Sequence, residues 1–344
     1  MKYIPPSSDD RPMWDLHLSG FALPALTAAD ELGLFDALNT APATATELSD
    51  RTRLNDRAMR ALLPLLASFG LLYQRLGRYH VSETARNFLL RDSRHYWGPV
   101  FALMREMKIT HDSVLQAVRA PRAASRWDQA QTGNPTNAWS EGQISADLAE
   151  AIAAYMHANC LPAALVAAER AGLANVKRLL DVGAGSGCFS IAFAQAHPAL
   201  RCTLMDLQGM CDVALRYARE AEVGDRIEAR AVDMFRDAWP REHDAIFFSN
   251  IFHDWDIETC AMLARKAHEA LPSGGRIVLH EMLLDDTHDG PRTAAAFSFY
   301  MLLSTKGQQF TAGMLSELLR DAGFIDVSVT PSHGYFSIVD ARKP

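Results

Sequence analysis

The stretch "LLDVGAGSGCFS", Leu179 to Ser190, decides the fold. An apolar run ends on Asp181, glycines follow at 183, 185 and 187, and apolar residues then resume at helical spacing. That pattern reads as strand, tight turn, helix. The glycines are spaced G-x-G-x-G. A dinucleotide fingerprint would need its third glycine at 188, which is Cys188, and a phosphate-cradling loop would need a G-K-[ST] that is absent. A glycine backbone lets a ligand approach closely because no Cβ intervenes. No lysine or arginine lies between Leu179 and Leu200 to meet phosphates. The spacing therefore predicts a ligand with a ribose but no phosphate.

Downstream, four more apolar or extended runs end in polar groups. "RCTLMD" ends at Asp206, "IEARAVD" at Asp233, "DAIFFSN" leads into His253, and "GRIVLHE" ends at Glu281. Helical stretches at 188–197, 210–222 and 256–271 separate them. Alternating strand and helix predicts a parallel, doubly wound α/β sheet with right-handed crossovers. Ligands of such sheets bind outside the carboxyl ends of the strands, where all five polar groups lie. Asp206 follows Gly187 by 19 residues, close to the ~20 at which an acid meets ribose hydroxyls. Asp233 could accept from an adenine amino group. "IDVSVT" and "GYFSIVDA", after a helix that Thr311 could cap, read as a closing antiparallel pair.

Upstream the chain reads as helical. Thr44 with Glu47 forms a capping-box pattern, and Asn55 could cap the next helix. "YQRLGRYHVSET" looks like a hairpin around Gly77. Helix, turn, helix and hairpin make a winged-helix-like arrangement. From Ala45 to Arg91 there are eight arginines and four acids, within a chain of net charge −7. DNA binding is one reading. The other is a dimer contact of the same shape, preferred because "MRALLPLLASFGLL" is apolar nearly all round and looks buried. The segment to Gly172 is helical again, with a loop or interrupted helix from Arg119 to Asn137 and a kink or break expected at Pro162. The expected domains are 1–110, helical; 111–172, a helical connector; and 173–344, the sheet.

The chain has 344 residues, 49% hydrophobic and 22% charged, enough for about two domains. No apolar run reaches the ~18 residues of a membrane span, and the N-terminus lacks the apolar region of a signal peptide. Five scattered cysteines form no C-x-x-C pair. These features predict a reduced, cytoplasmic protein with neither membrane nor nucleic acid as partner.

"LLDVGAGSGCFS", "TLMDL", "VDMF", "SNIFHDW" and "HEMLL" together resemble the S-adenosylmethionine-dependent small-molecule O-methyltransferases, the branch of the caffeic acid, acetylserotonin and hydroxyneurosporene enzymes. The resemblance spans nearly the whole chain. It implies a Rossmann-like catalytic domain and an N-terminal winged-helix-like domain that forms a homodimer. It places Gly183, Gly185 and Gly187 along the methionyl part of S-adenosylmethionine, Asp206 and Leu207 at the ribose, and Asp233, Met234 and Phe235 around the adenine, with Asp181 before the glycines also counted as cofactor-binding. Ser249 stands where plant relatives carry a lysine. His253 matches the general base and Glu281 the acid that holds it.

A phenol, pKa ~10, is mostly protonated at neutral pH, so a histidine within reach can take its proton as the methyl transfers. A carboxylate on the other ring nitrogen fixes the tautomer. Asp254 is read as a cap for the helix beginning near Asp256 or as support for the histidine, and Trp255 as core. For the acceptor, an aromatic small molecule, the resemblance points to the helical face Phe297, Tyr300, Met301 and Ser304, and to Met156, His157 and Trp139. Plant relatives carry a second glutamate where this chain has Gln309, which could bind the acceptor or orient His253. A metal site would need His253, Asp254, His280 and Glu281. Because His280 and Glu281 point to opposite faces of one strand, no metal is expected. Transfer to carbon or nitrogen, and a DNA-binding sensor of the cofactor, remain as alternatives.

Overall fold

A computed structural model describes residues 6–107, 109–119 and 144–344. The loop expected from Arg119 to Asn137 and the acceptor residue Trp139 fall outside the described residues. The chain divides into two compact units, Met1–Lys108 and Ile109–Pro344.

The first unit runs α1 (Arg11–Ser19), α2 (Ala22–Glu31), α3 (Leu34–Thr40), α4 (Ala45–Thr52), α5 (Asp56–Ser68), β1 (Leu72–Arg75), β2 (Arg78–Val81), α6 (Glu83–Phe88) and α7 (Gly98–Glu106). Thr44 and Glu47 close the expected capping box on α4, and Asn55 caps α5 by accepting from Ala58 N. The hairpin turns at Gly77 between Arg75 and Arg78. Only one face of α5 is buried, through Met59, Leu63 and Leu66. Its Arg57, Arg60, Ala61 and Pro64 are exposed. The expectation that this helix is buried nearly all round is thus corrected within its own unit. Helical spacing of its leucines sends one stripe, not the whole circumference, into the core of Leu34, Phe35, Leu48 and Phe101.

The second unit opens with α8 (His111–Arg119) and α9 (Ala146–Arg170). The helix α9 is not broken at Pro162 but continues for 25 residues. Its one missing backbone hydrogen bond is offset by tertiary packing. Ala164, Ala167 and Ala168 are buried in one cluster with Phe189, Phe193 and Leu204. Uninterrupted, α9 is long and apolar enough to cross a membrane by length and composition, which corrects the expectation that no segment would be. A third of its most apolar stretch is buried within the unit.

There follow β3 (Arg178–Val182), α10 (Cys188–Ala196), β4 (Arg201–Asp206), α11 (Gln208–Glu220), β5 (Ile227–Ala231), β6 (Ala245–Ser249), a single 3₁₀ turn (Phe252–Asp254), α12 (Ile257–Ala270), β7 (Arg276–Met282), α13 (Arg292–Ser304), α14 (Ala312–Asp321), β8 (Ile325–Pro331) and β9 (Phe336–Arg342). The sheet order is β5-β4-β3-β6-β7-β9-β8. The first five strands are parallel and the expected closing pair is antiparallel. Apolar layers cover both faces, so the central strands are apolar throughout rather than alternating. Chain order reverses between β3 and β6. Ligands of doubly wound sheets sit at that switch point, outside the carboxyl ends.

Candidate active site

The carboxyl ends of β3, β4 and β5 enclose a cleft lined by Gly183, Met205, Asp206, Leu207, Val232, Asp233, Met234 and Phe235. Gly183 has φ +68, a conformation that favours glycine, and Ile251 packs against it. Asp206 is buried. Its Oδ2 accepts from Gly185 N at 2.8 Å and its Oδ1 from Leu207 N at 2.7 Å, which fastens the glycine turn to the end of β4. Met156 packs over Gly185, while Gly187 faces Leu204 and Ala214 in the core.

Three of the expected cofactor residues also make hydrogen bonds within the protein. Asp181 is buried and accepts from Ser190 Oγ at 2.7 Å. Burial pushes its carboxyl up to about 7, against that hydrogen bond. Asp233 shapes the loop: its Oδ1 accepts from Phe235 N and Arg236 N. Ser249 Oγ lies 3.1 Å from His280 Nδ1.

The second half of the site is built on β6 and β7. Their register pairs Ser249 with His280, so Glu281 falls level with the turn that leaves β6. Glu281 Oε1 accepts from both Ile251 N and Phe252 N at 3.0 Å. Its Oε2 lies 3.3 Å from His253 Nδ1. His280, on the other face of β7, is sandwiched between Phe189 and Phe336 and is remote in chemistry from His253. Burial holds the His253 imidazole down to about 3. Burial also raises the Glu281 carboxyl to about 8, against the two backbone donors that favour its charge. Both shifts favour a neutral pair at neutral pH.

Gln309, also buried, places Nε2 3.1 Å from His253 Nδ1 and leaves Oε1 without a partner. The sequence left its role open between acceptor and histidine; the side chain lies on the histidine. Asp254 Oδ1 is 3.6 Å from His253 Nε2. Burial lifts the Asp254 carboxyl to about 7, although a third of its side chain remains open to solvent. It does not cap α12: Asp256 does, accepting from Thr259 N at 2.9 Å. The cap belongs one residue before the first helical position, Ile257, and the 3₁₀ turn keeps Asp254 out of reach.

On α13, Phe297 meets His253 edge-on at 5.2 Å and stacks along Tyr300 at 6.0 Å. Met301 and Ser304 are buried on the same helix. His157 is not brought to this cluster. Its ring packs on Tyr217 of α11 at 4.7 Å, because one residue along a helix turns the side chain by about 100°. Two residues earlier, the Tyr155 hydroxyl is raised by burial and, less, by Tyr300, Cys160 and Asp254. Sequence reasoning missed Tyr155 by two residues. It also missed Gly307, where a Cβ would lie 2.6 Å from Trp255 N and from the His253 carbonyl carbon. A glycine just before Gln309 was the available signal.

A cleft lined by no basic residue, beside a buried histidine–carboxylate pair at the same sheet edge, is an arrangement that methyl transfer from S-adenosylmethionine can use. Comparison with known proteins carries this further. The family profile for the O-methyltransferase domain matches residues 114–325, and that for the O-methyltransferase dimerisation domain matches residues 15–91. The chain belongs to the O-methyltransferase family. It is 34% identical to 3-hydroxy-5-methyl-1-naphthoate 3-O-methyltransferase of Streptomyces sahachiroi, over 88% of this chain and 86% of that one. It is 27% identical to L-tyrosine C(3)-methyltransferase of Streptomyces lavendulae, over 87% and 82%. The fold matches that of human N-acetylserotonin methyltransferase in complex with SAM, with a TM-score of 0.81, 22% identity and 99% of both chains covered.

Proposed function

We propose that the chain methylates a hydroxyl of an aromatic or polyketide-like small molecule, with His253 as general base. The observation that carries this is the buried His253 beside Glu281, with Nε2 turned away from that carboxylate and Phe297 across the ring. Asp206 would hold the ribose of the bound cofactor, Leu207, Met234 and Phe235 its base, and Gly183 and Gly185 its amino-acid portion, since all but Gly185 line one cleft. The cofactor supplies a methyl already made electrophilic by its sulfonium. The chain has to bring the hydroxyl into line with it, exclude water and take the proton; alignment can contribute about 7–11 kcal/mol in favourable cases.

Nε2 is the basic nitrogen only if the ring proton sits on Nδ1. That tautomer donates to ionised Glu281, and turning the Gln309 amide end for end gives the same N–H a second acceptor. Both orphaned oxygens, Glu281 Oε2 and Gln309 Oε1, are then satisfied. Protonated Glu281 would instead donate to Nδ1 and leave the proton on Nε2. Ionisation of Glu281 therefore makes the base competent.

The Streptomyces sahachiroi relative is named for a hydroxynaphthoate, which supports a fused aromatic acceptor. The C-methylating relative keeps carbon transfer as a second reading. His253→Ala should retain affinity for S-adenosylhomocysteine and lose at least ~100-fold in kcat. Mass spectrometry of the product formed with isotope-labelled cofactor identifies the atom methylated. A rate that survives His253→Ala, or a methyl on carbon, overturns the reading. We also infer a homodimer through the first unit, supported by Met13, Trp14, Leu16 and Phe21, all more than half exposed. Sedimentation equilibrium at micromolar concentration should show twice the chain mass. The five unpaired cysteines fit a reducing, cytoplasmic setting.

A further inference from the structure

We propose that Trp255 and Ile251 tie the turn carrying His253 to the cofactor cleft, so that filling the cleft fixes the base before the acceptor arrives. Gly183 follows β3 and Phe235 follows β5, the strands on either side of β4, and both line the cleft. The turn touches each of them. Ile251, two residues before His253, lies against Gly183. Trp255, two residues after it, meets the Phe235 ring edge-on, with centroids 4.7 Å apart at 73°.

The Phe235 loop is itself stapled from outside. Trp239 Nε1 donates to Met234 O at 3.0 Å, and Lys266 Nζ donates to Phe235 O at 3.1 Å and Asp237 O at 2.8 Å. Phe235 is thus held against Trp255 by groups that do not touch the ligand. A base moiety bound against Phe235 restricts that ring, the ring restricts Trp255, and Trp255 restricts the turn. Trp255 is accordingly a positioning residue. Cofactor and acceptor binding become coupled, with the cofactor bound first. The reading of His253 as base gives this coupling its purpose, but the contacts stand without it.

The test uses the full chain and S-adenosylhomocysteine, with backbone hydrogen exchange over residues 250–256 as readout. In the wild type, saturating ligand should slow exchange there at least ~fivefold, the lower end of usual couplings between sites. Trp255→Leu should reduce that slowing to less than ~twofold while residues 183–187 stay protected, and Trp255→Phe, which keeps a ring, should restore it. Equal slowing in Trp255→Leu and wild type, or none in the wild type, overturns the proposal. Phe235→Leu removes the same ring pair from the other side and decides the matter if Trp255→Leu fails to fold. The exchange readout involves no chemistry, so failure here and failure of His253→Ala to lose rate are distinguishable.

Discussion

Gly307→Ala is a small change with a large expected effect. The added Cβ would stand 2.6 Å from Trp255 N and from the carbonyl carbon of His253, closer still to its oxygen, whereas ordinary contact begins at 3.4 Å. The two segments must part by at least about 0.8 Å. Neither can yield freely. The 253 turn is held by two hydrogen bonds to Glu281 Oε1, and the 307 segment by Gly307 N to Thr305 Oγ1 at 3.1 Å and Lys306 N to Asp254 O at 3.2 Å. If the turn moves, His253 leaves its place; if the 307 segment moves, Gln309 leaves His253 Nδ1. A displacement of about 1 Å at reacting groups costs on the order of 100-fold. The cofactor cleft contains neither segment. We expect kcat to fall ~100-fold, and the S-adenosylhomocysteine Kd, by isothermal titration calorimetry, to rise by about fivefold through the coupling of this turn to the cleft. Wild-type kcat in a folded Gly307→Ala protein would refute the placement of this loop under the base.

Other outcomes follow from the same geometry. kcat/KM should rise with pH through about 8 as Glu281 ionises, and Glu281→Gln should abolish that limb. For stability the two groups run in opposite directions. His253, depressed from 6.5 to about 3, contributes stability above 6.5 that is lost as pH falls toward 3. Glu281, raised from 4.5 to about 8, contributes stability below 4.5 that is lost as pH rises through 8. Denaturation midpoints across pH, compared with those of His253→Ala and Glu281→Gln, separate the two. Gln309→Glu places a second carboxylate on Nδ1 and should raise the histidine pKa, lifting rates on weakly acidic phenols relative to acidic ones; an unchanged preference counts against Gln309 as its partner. Asp206→Ala removes a charged acceptor from Gly185 N and Leu207 N, each such bond contributing ~1.5–3 kcal/mol. Calorimetry should show S-adenosylhomocysteine binding weakened at least ~tenfold.

The sheet was legible because parallel strands buried on both faces leave apolar runs that stop where the ligand edge begins. Asp206, His253 and Glu281 could be placed because each ends such a run. Strand alternation alone separated His280 from Glu281. What escaped depended on contacts distant in sequence. Gln309 reaches His253 across 56 residues, and the fit of Gly307 beneath the turn exists only once α13 has folded back. Register on α9 escaped for another reason. His157 was expected there from the resemblance of "AAYMHANC", and with alanine on most faces the segment's own periodicity gave nothing to correct it. Asp233 both lines the cleft and accepts from the backbone of its own loop, a second role that its place at a strand end did not reveal.

Glu281 holds two backbone amides with one oxygen and leaves the other for the ring of His253. The turn therefore keeps its shape from the acid rather than from the side chain it displays. Residue 253 can change without unbuilding the scaffold around it. Evolution can thus replace the side chain at 253 in a single step; if that side chain is the base proposed above, one architecture can pass between acceptors that need deprotonation and those, like an electron-rich ring carbon, that do not.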